Sequence, residues 1–397
     1  MFKMGALDGV KILDLSSALA GPYCTMMLAD MGAEVIKVEP PEGDVSRSWG
    51  PPFIEGESSY FLSINRNKKS IVINLKSEKG REIVLKLAEK CDVFVENFRP
   101  GVTKRLGVDY ETVKKVNPKI IYCSISGFGQ EGPYRDYPAF DQILQGMGGL
   151  MSITGEPGRP PVKVGIPITD IAAGMFAAYG IVCALFYREK TGKGQYVDVS
   201  MLDSQVAWLT YQAGRYFATG EIPGPIGSGH PLIVPYQAFK TKDGYINIAA
   251  GNDNLFRSLC KVLGVEHLAD DPRFNTNPKR VENREELVKI LEEIFVQKTT
   301  SEWLELIRKA GVPCGPIYNV ADVVNDPQVL FRKMVVEIDH PKSGRIKVTG
   351  VPVKLSESPG DVRLPPPMLG QHTVDILKFL GYSDEDISKL KDEGVVK

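Results

Sequence analysis

Residues 10–39 read VKILDLSSALAGPYCTMMLADMGAEVIKVE. Two short aliphatic runs, VKILDLS (10–16) and EVIKVE (34–39), flank the segment GPYCTMMLADMGA (21–33). Runs of this length with branched side chains suit strands. The middle segment suits a helix with Pro22 in its first turn, where the missing N–H costs nothing. A helix between two strands carries the chain back to the end where it started, so the two strands lie parallel. The unit then repeats. SIVINL (70–75), SEKGREIVLKLAEK (77–90), DVFVENF (92–98), DYETVKKVN (109–117) and KIIYCSIS (119–126) alternate strand and helix. The expected fold is a Rossmann-like α/β domain built on a parallel sheet.

The second half reads differently. EIPGPIGSGHPLIVP (221–235) is rich in Gly and Pro and predicts irregular chain. AFKTKDGYINIAA (238–250) predicts a hairpin turning at Asp243-Gly244. NLFRSLCKVLG, REELVKILEEIFVQK and SEWLELIRKAG predict three helices, the last announced by Thr299 with Glu302 three residues on, the spacing of a capping box. The expected organisation is a large domain over 1–200, a linker over 201–225, a small α+β domain over 226–330, and a segment 331–397 that returns to complete the large domain.

Composition narrows the function. Of 397 residues, 43% are hydrophobic and 24% charged, and 48 Lys+Arg against 49 Asp+Glu leave a net charge of −1. That balance is ordinary for a globular chain and provides no basic field to draw nucleic acid or an anionic membrane. A small-molecule enzyme is expected. The N-terminal stretch carries Asp8, Lys11 and Asp14, which interrupt any apolar region of a secretory leader. Six scattered cysteines form no CxxC pair. Cytoplasm is the expected compartment. The uncharged run Ile171 to Tyr187 is expected to be a buried core helix, because it is short for a membrane span and holds two glycines.

GFGQEG (127–132) matches G-x-G-x-x-G after a predicted strand. A dinucleotide site also needs a helix opening at the third glycine, and Pro133 and Pro138 prevent one. A turn is expected, and NAD is not implied. Histidines 230, 267, 340 and 372 stand apart from one another, and no nucleophile elbow or zinc motif is present. Catalysis must rest on carboxylates, hydroxyls and backbone amides.

In VGIPITDIAAGMFAAYGI (164–181) a single carboxylate, Asp170, stands in an otherwise apolar or uncharged run. Asp is a good N-cap for a helix opening at Ile171, and a helix N-terminus favours the ionised acid. An ionised, partly desolvated carboxylate beside Ala172, Ala173 and Gly174 suits a nucleophile. Arg66, Lys68, Lys69, Lys76, Arg99, Lys104 and Arg105 recur at expected strand ends, where open α/β sheets bind ligands, and suit a polyanion such as coenzyme A. The loop GSGHP (227–231) reads as a linker or as a mobile cover offering backbone N–H groups.

Nearly the whole chain resembles the class III coenzyme A transferases. The resemblance runs through LAGPYCTMMLADMGAEVIKVEPP, NRNKKSIVINLK, VENFRPGVTKRLG, SISGFGQEGPY and FDQILQGMGGLMSITG. It continues through the ITD at 168–170, REKTGKGQYVDVSMLDS, TKDGYINIAAGND and PPPMLGQHT. It implies an acyl-CoA:carboxylate CoA-transferase in which Asp170 attacks the thioester and carries covalent intermediates. It implies CoA contacts at Leu19 and Ala20, at Pro40, and along Ile73, Asn74, Leu75 and Lys76. Further implied contacts are Asn97, Phe98, Arg99 and Arg105, then Tyr137, Pro138, Ala139 and Phe140. Gly227, Ser228 and Gly229 match the covering loop, here GSGH where family members carry four glycines. The resemblance also implies an interlocked homodimer, coenzyme A as substrate, and no metal or tightly bound cofactor. Related α-methylacyl-CoA racemases carry a histidine before the acid at the place of Asp141, and here Phe140 stands there. A ring carbon removes no proton, so that reading loses its base. A silent acyl-CoA-binding protein is the remaining alternative.

Overall fold

The computed structural model describes residues 4–397. Residues 1–3, part of the stretch read above for a leader and of the expected 1–200 domain, lie outside the described residues. The chain divides into two compact units. The first takes residues up to Leu150, Lys163–Ala218 and Pro327–Lys397, and the second takes Met151–Val162 and Thr219–Asp326.

Among the described residues, the main sheet of the first unit has six strands: β1 (Lys11–Asp14), β2 (Glu34–Glu39), β3 (Lys68–Val72), β4 (Val93–Glu96), β5 (Ile121–Ser126) and β6 (Gln195–Ser200). Their order is β3-β2-β1-β4-β5-β6, with every neighbouring pair parallel. Each strand alternates between two apolar layers, as a period of two requires. Ile12, Val35, Val93 and Ile121 face α1 (Ala20–Asp30) and α5 (Ile168–Thr191). Leu13, Ile36, Phe94 and Tyr122 face α2 (Glu78–Glu89) and the C-terminal residues Ile376, Leu377, Ile387 and Leu390. Two further helices of this part of the chain are α3 (Tyr110–Val116) and α4 (Asp141–Met147). β3 begins at Lys68, two residues before the apolar run, because Lys68 pairs in register with Val35 and its ammonium reaches Asp14 at 3.2 Å inside the fold.

Residues 201–218, expected to belong to a linker, are folded into this unit. Ser200 accepts the Asp203 N–H and caps α6 (Met201–Ala207), which buries Met201, Ser204 and Gln205, and a helix over Thr210–Thr219 follows. The chain turns irregular only at 220, where the Gly/Pro-rich stretch begins.

α5 lies against α1 through small residues. Ala173, Gly174 and Ala177 are buried, and a Cβ at Gly174 would stand 2.7 Å from the Ala20 carbonyl oxygen. Gly174→Ala is therefore expected to force the helices apart, at the roughly 1–3 kcal/mol of an overpacked core. Thermal unfolding should show a fall of several degrees, and an unchanged midpoint would mean the two helices yield freely. The helix read as buried is buried on one face only. Met175, Tyr179, Val182 and Phe186 on its other face are exposed.

The second unit holds an antiparallel sheet of β7 (Tyr236–Lys240), β8 (Tyr245–Ala249) and β9 (Cys314–Pro316), the first two joined by the turn at Thr241–Gly244. Helices Asp253–Leu263, Arg284–Phe295 and Thr300–Lys309 cover it, the last with the capping box of Thr299 and Glu302. Phe239, Phe256, Phe295 and Trp303 fill the core. Residues 151–162, expected in the large domain, join this unit, where the Gly155 carbonyl accepts the Gly227 N–H at 2.8 Å.

Candidate active site

The strand order reverses between β1 and β4, and ligands in open α/β sheets bind outside the carboxyl ends of strands at such a point. Two cavities open there, both within the first unit. The larger, about 390 Å³, is walled by Ser16 and Ser17 after β1, Pro40–Val45 after β2, Ile73–Lys76 after β3, and by Phe98 and Leu106. The second, about 280 Å³, is walled by Ala18 and Ala20, by Asn97–Pro100 after β4, by the 127–140 loop after β5, and by Asp170. Ser17, Val45 and Phe98 line both.

Buried polar groups fix these loops. Asn97 accepts the Ser17 N–H at 2.9 Å and donates to the Ser17 carbonyl at 2.8 Å, clamping the β1 and β4 loops together. Lys37 donates to the Ser16 carbonyl at 2.8 Å and pairs with Asp44 at 2.7 Å, and Asp44 accepts the Ala18 N–H at 3.1 Å. Beneath them lies Asp14. Burial pushes its carboxyl up, but the Lys68 and Lys37 ammoniums and the Ser16 and Thr25 hydroxyls outweigh burial and hold it at about 2. The carboxylate is thus ionised and fully partnered, which a buried charge requires.

Asp170 is half-buried in the first turn of α5. It is not the N-cap. The helix opens two residues earlier, at Ile168 with Pro167 before it, and the capping acceptor comes from elsewhere in the chain. Asp141 Oδ1 accepts the Thr169 N–H at 2.8 Å and lies 3.4 Å from the Asp170 nitrogen. Asp141 Oδ2 takes the Gln145 amide at 2.6 Å, and the Gln145 oxygen accepts the Val164 N–H at 2.9 Å. Gln145, fully buried, thereby ties the segment before α5 to α4. The Asp170 carboxyl itself meets the N-terminus of α1, where the Ala20 N–H donates to it. Burial, then the Asp141 carboxylate, raise it to about 7, against the lowering by Ala20. The expectation of a firmly ionised Asp170 is corrected on this point: desolvation and a like charge outweigh the helix N-terminus.

Most residues implied by the resemblance gather here. Pro40, Ile73, Asn74, Leu75 and Lys76 line the larger cavity, and Ala20, Asn97, Arg99, Tyr137, Ala139 and Phe140 line the Asp170 cavity, with Phe98 in both. Leu19 is buried as the residue before α1, and neither it nor Pro138 lines a cavity wall. Arg105 is exposed on the short helix Val102–Leu106. Lys76, Arg99, Lys104 and Arg105 have no carboxylate within 4 Å among the described residues, so their charges are available to an anion. Arg66, Lys68 and Lys69 do not join them. They sit at the opposite end of β3, paired with Asp30, Asp14 and Glu34. GFGQEG forms a turn in which Gly129 and Gly132 adopt φ of +87° and +90°. In the second unit, Gly227 and Gly229 are half-buried, and the exposed Ser228 accepts the Ala238 N–H at 3.0 Å.

Three residues near Asp170 are not among the site residues expected from the sequence. Asp141 looks like any acid opening a helix, and its partner Thr169 is 28 positions away. Arg135 lines the Asp170 cavity but lies in a loop with no periodicity. Tyr60 is pushed up to about 12 by burial and then by the carboxylates of Asp170, Asp141 and Asp44, and it packs edge-on against Trp49 with ring centroids 4.8 Å apart. Only the fold brings these groups near one acid.

The arrangement offers a half-buried carboxyl against a helix N-terminus, beside a larger cavity lined by Lys76, with Arg99 on the wall nearer the carboxyl. The sequence pattern of CoA-transferase family III spans residues 7–373. The succinyl-CoA:glutarate CoA-transferase of Homo sapiens is 49% identical over 392 residues, covering 98% of this chain and 90% of that protein. The acetyl-CoA:oxalate CoA-transferase of Acetobacter aceti is 45% identical over 368 residues, covering 91% and 93%. The crystal structure of a CAIB/BAIF family protein from Brucella suis is 43% identical, superposes with a TM-score of 0.85, and covers 96% of this chain and all of that one.

Proposed function

This chain belongs to CoA-transferase family III, and from that premise we propose that Asp170 is the nucleophile in its transfer of CoA from an acyl-CoA to a free acid. The observation that carries the reading is the Asp170 carboxyl, half-buried against the α1 N-terminus in a cavity that shares Ser17 and Phe98 with a larger one.

The nucleotide end of the acyl-CoA occupies the larger cavity, with Lys76, Arg99 and Arg105 as charge partners. Its pantetheine arm passes Ser17 and Phe98, which brings the thioester to Asp170. An Asp170 oxygen attacks the thioester carbonyl, the C–S bond breaks, and CoA leaves as the thiolate. A mixed anhydride remains on Asp170. The thiolate then attacks the Asp170 carbonyl, releases the donor acid and forms an aspartyl-CoA thioester. The acceptor carboxylate attacks that thioester in turn, and the returning thiolate takes the acceptor acyl group, restoring Asp170. Covalent catalysis divides one exchange into smaller steps. The Ala20 N–H, which meets the Asp170 carboxyl, serves the oxygen that takes up charge when the thiolate attacks the Asp170 carbonyl.

The relatives named for succinyl-CoA, glutarate and oxalate support a dicarboxylic acid as donor or acceptor. The exposed apolar face of α5 supports a homodimer that covers it. Phe140, on the wall of the Asp170 cavity, supplies no base for racemisation.

The test is incubation of the purified protein in deuterated water with a pool of acyl-CoAs and free acids, reading each CoA ester by mass spectrometry. New esters without α-deuterium are expected. An α-deuterated ester with no new ones would replace transfer by racemisation, and silence on both counts would leave a binding protein.

A further inference from the structure

The cavity that holds Asp170 must also admit the free acid, and among the described residues its wall carries two cations, Arg99 and Arg135. They come from different walls. Arg99 follows Phe98, which lines both cavities, although Arg99 itself lines the Asp170 cavity alone. Arg135 rises from the 127–140 loop and lines the Asp170 cavity without reaching the larger one.

That loop is braced. Gly129 donates its N–H to Ser126 Oγ at 3.0 Å and Gln130 donates its own to Asp198 at 3.1 Å. Tyr134 and Tyr137 stack with centroids 5.1 Å apart, and Phe128 meets both edge-on. Arg135 is thus presented from a held loop, yet its guanidinium has little to do within the chain. Its ion-pair partner is the adjacent Asp136 at 3.5 Å, with the two side chains 46% and 79% exposed. A solvated pair of that length contributes little. Of the uncharged polar side chains on the wall, the Asn97 amide is committed to the Ser17 backbone, and Ser126 Oγ accepts the Gly129 N–H.

Resting on the transferase reading above, we infer that Arg135 selects short dicarboxylates by holding the carboxylate that does not react. The reacting carboxylate meets Asp170, and the distal one takes the guanidinium fork, whose planar donors match a carboxylate two-to-two. The same grip serves a donor, because a dicarboxylate monothioester also keeps one free carboxylate. A monocarboxylate of equal length leaves the guanidinium without its partner, and a site built for a charged contact discriminates against ligands that lack it.

The experiment compares wild type, Arg135→Gln and Arg135→Lys with two acceptors, glutarate and butyrate, and two donors, succinyl-CoA and butyryl-CoA. For Arg135→Gln, kcat/KM with the dicarboxylic partners is expected to fall about 10- to 100-fold, mainly through KM, as for loss of one charge-assisted contact. The glutarate-to-butyrate preference collapses accordingly, and Arg135→Lys restores part of it. An equal loss for mono- and dicarboxylic partners would overturn the inference and make Arg135 a loop or coenzyme A contact. A wild type that transfers CoA while the Gln variant keeps its full preference overturns the inference and leaves the transferase reading standing. A wild type that makes no new ester from any pair overturns both.

Discussion

Asp170→Asn is expected to abolish CoA transfer, with kcat falling by about four orders of magnitude or more, since losing a nucleophile removes the covalent route entirely. Quenched reactions should show an acyl or CoA adduct on the wild-type peptide containing Asp170 and none on the variant. A variant that kept wild-type turnover would remove Asp170 from the mechanism. The same substitution should stabilise the fold in a pH-dependent way. The Asp170 carboxyl is raised in the folded chain to about 7 from an ordinary 3.8, first by burial and then by Asp141. Between these values the unfolded chain has lost the proton while the folded chain keeps it, so wild-type stability falls as pH rises and levels off above about 7. Asparagine carries no such penalty. Its advantage is absent below about pH 4, grows through the window, and reaches on the order of 2 kcal/mol above it, allowing for the side open to the cavity. Melting temperatures measured at pH 5 and pH 8 would separate this from a pH-independent gain.

Asp141 gives the second large effect, through two separable roles. Asp141→Ala removes the acceptor for the Thr169 N–H and for the Gln145 amide, so the first turn of α5 loses its cap. A lost cap costs about 1 kcal/mol. The displacement of Asp170 should lower kcat roughly 100-fold, as small misplacements of reacting groups do. Asp141→Asn keeps an acceptor oxygen and removes the charge. With the like charge gone, the Asp170 carboxyl titrates lower, so the acidic limb of the pH–rate profile, expected near 7 in the wild type, moves to lower pH. The maximum rate falls modestly, because Gln145, already bonded to Val164, cannot easily turn to meet the new amide. If the limb stayed in place, Asp141 would be a cap and nothing more.

The parts of this molecule that repeat locally were legible in its sequence. The alternation from Val10 onward predicts β1, α1 and β2, since each strand and helix declares its period within a few residues. Asp170 stands out because a lone acid in an apolar run has few bland explanations, yet its ionisation was misjudged. The charge that matters most beside it, Asp141, arrives from another helix. The cations divide for the same reason. Lys68 and Lys76 look alike in sequence, and only the direction of β3 sends the first to a buried pair with Asp14 and the second to the wall of the larger cavity. Tyr60 and Arg135 have no local pattern at all. The linker was drawn too early because Gly and Pro mark where a chain turns irregular, and here they begin at 220, past two helices.

Ser17 and Phe98, shared by the two cavities, give the leaving group an unusual status. On the route proposed above, the thiol is still leashed to a nucleotide docked next door when the C–S bond breaks. It behaves as a swinging arm whose reach is one pantetheine length and whose local concentration far exceeds anything free in solution. Recapture then outruns escape, and water must compete with a reactant that never departs. That route would let a high-energy bond be cut twice in a cycle with little of it lost to hydrolysis.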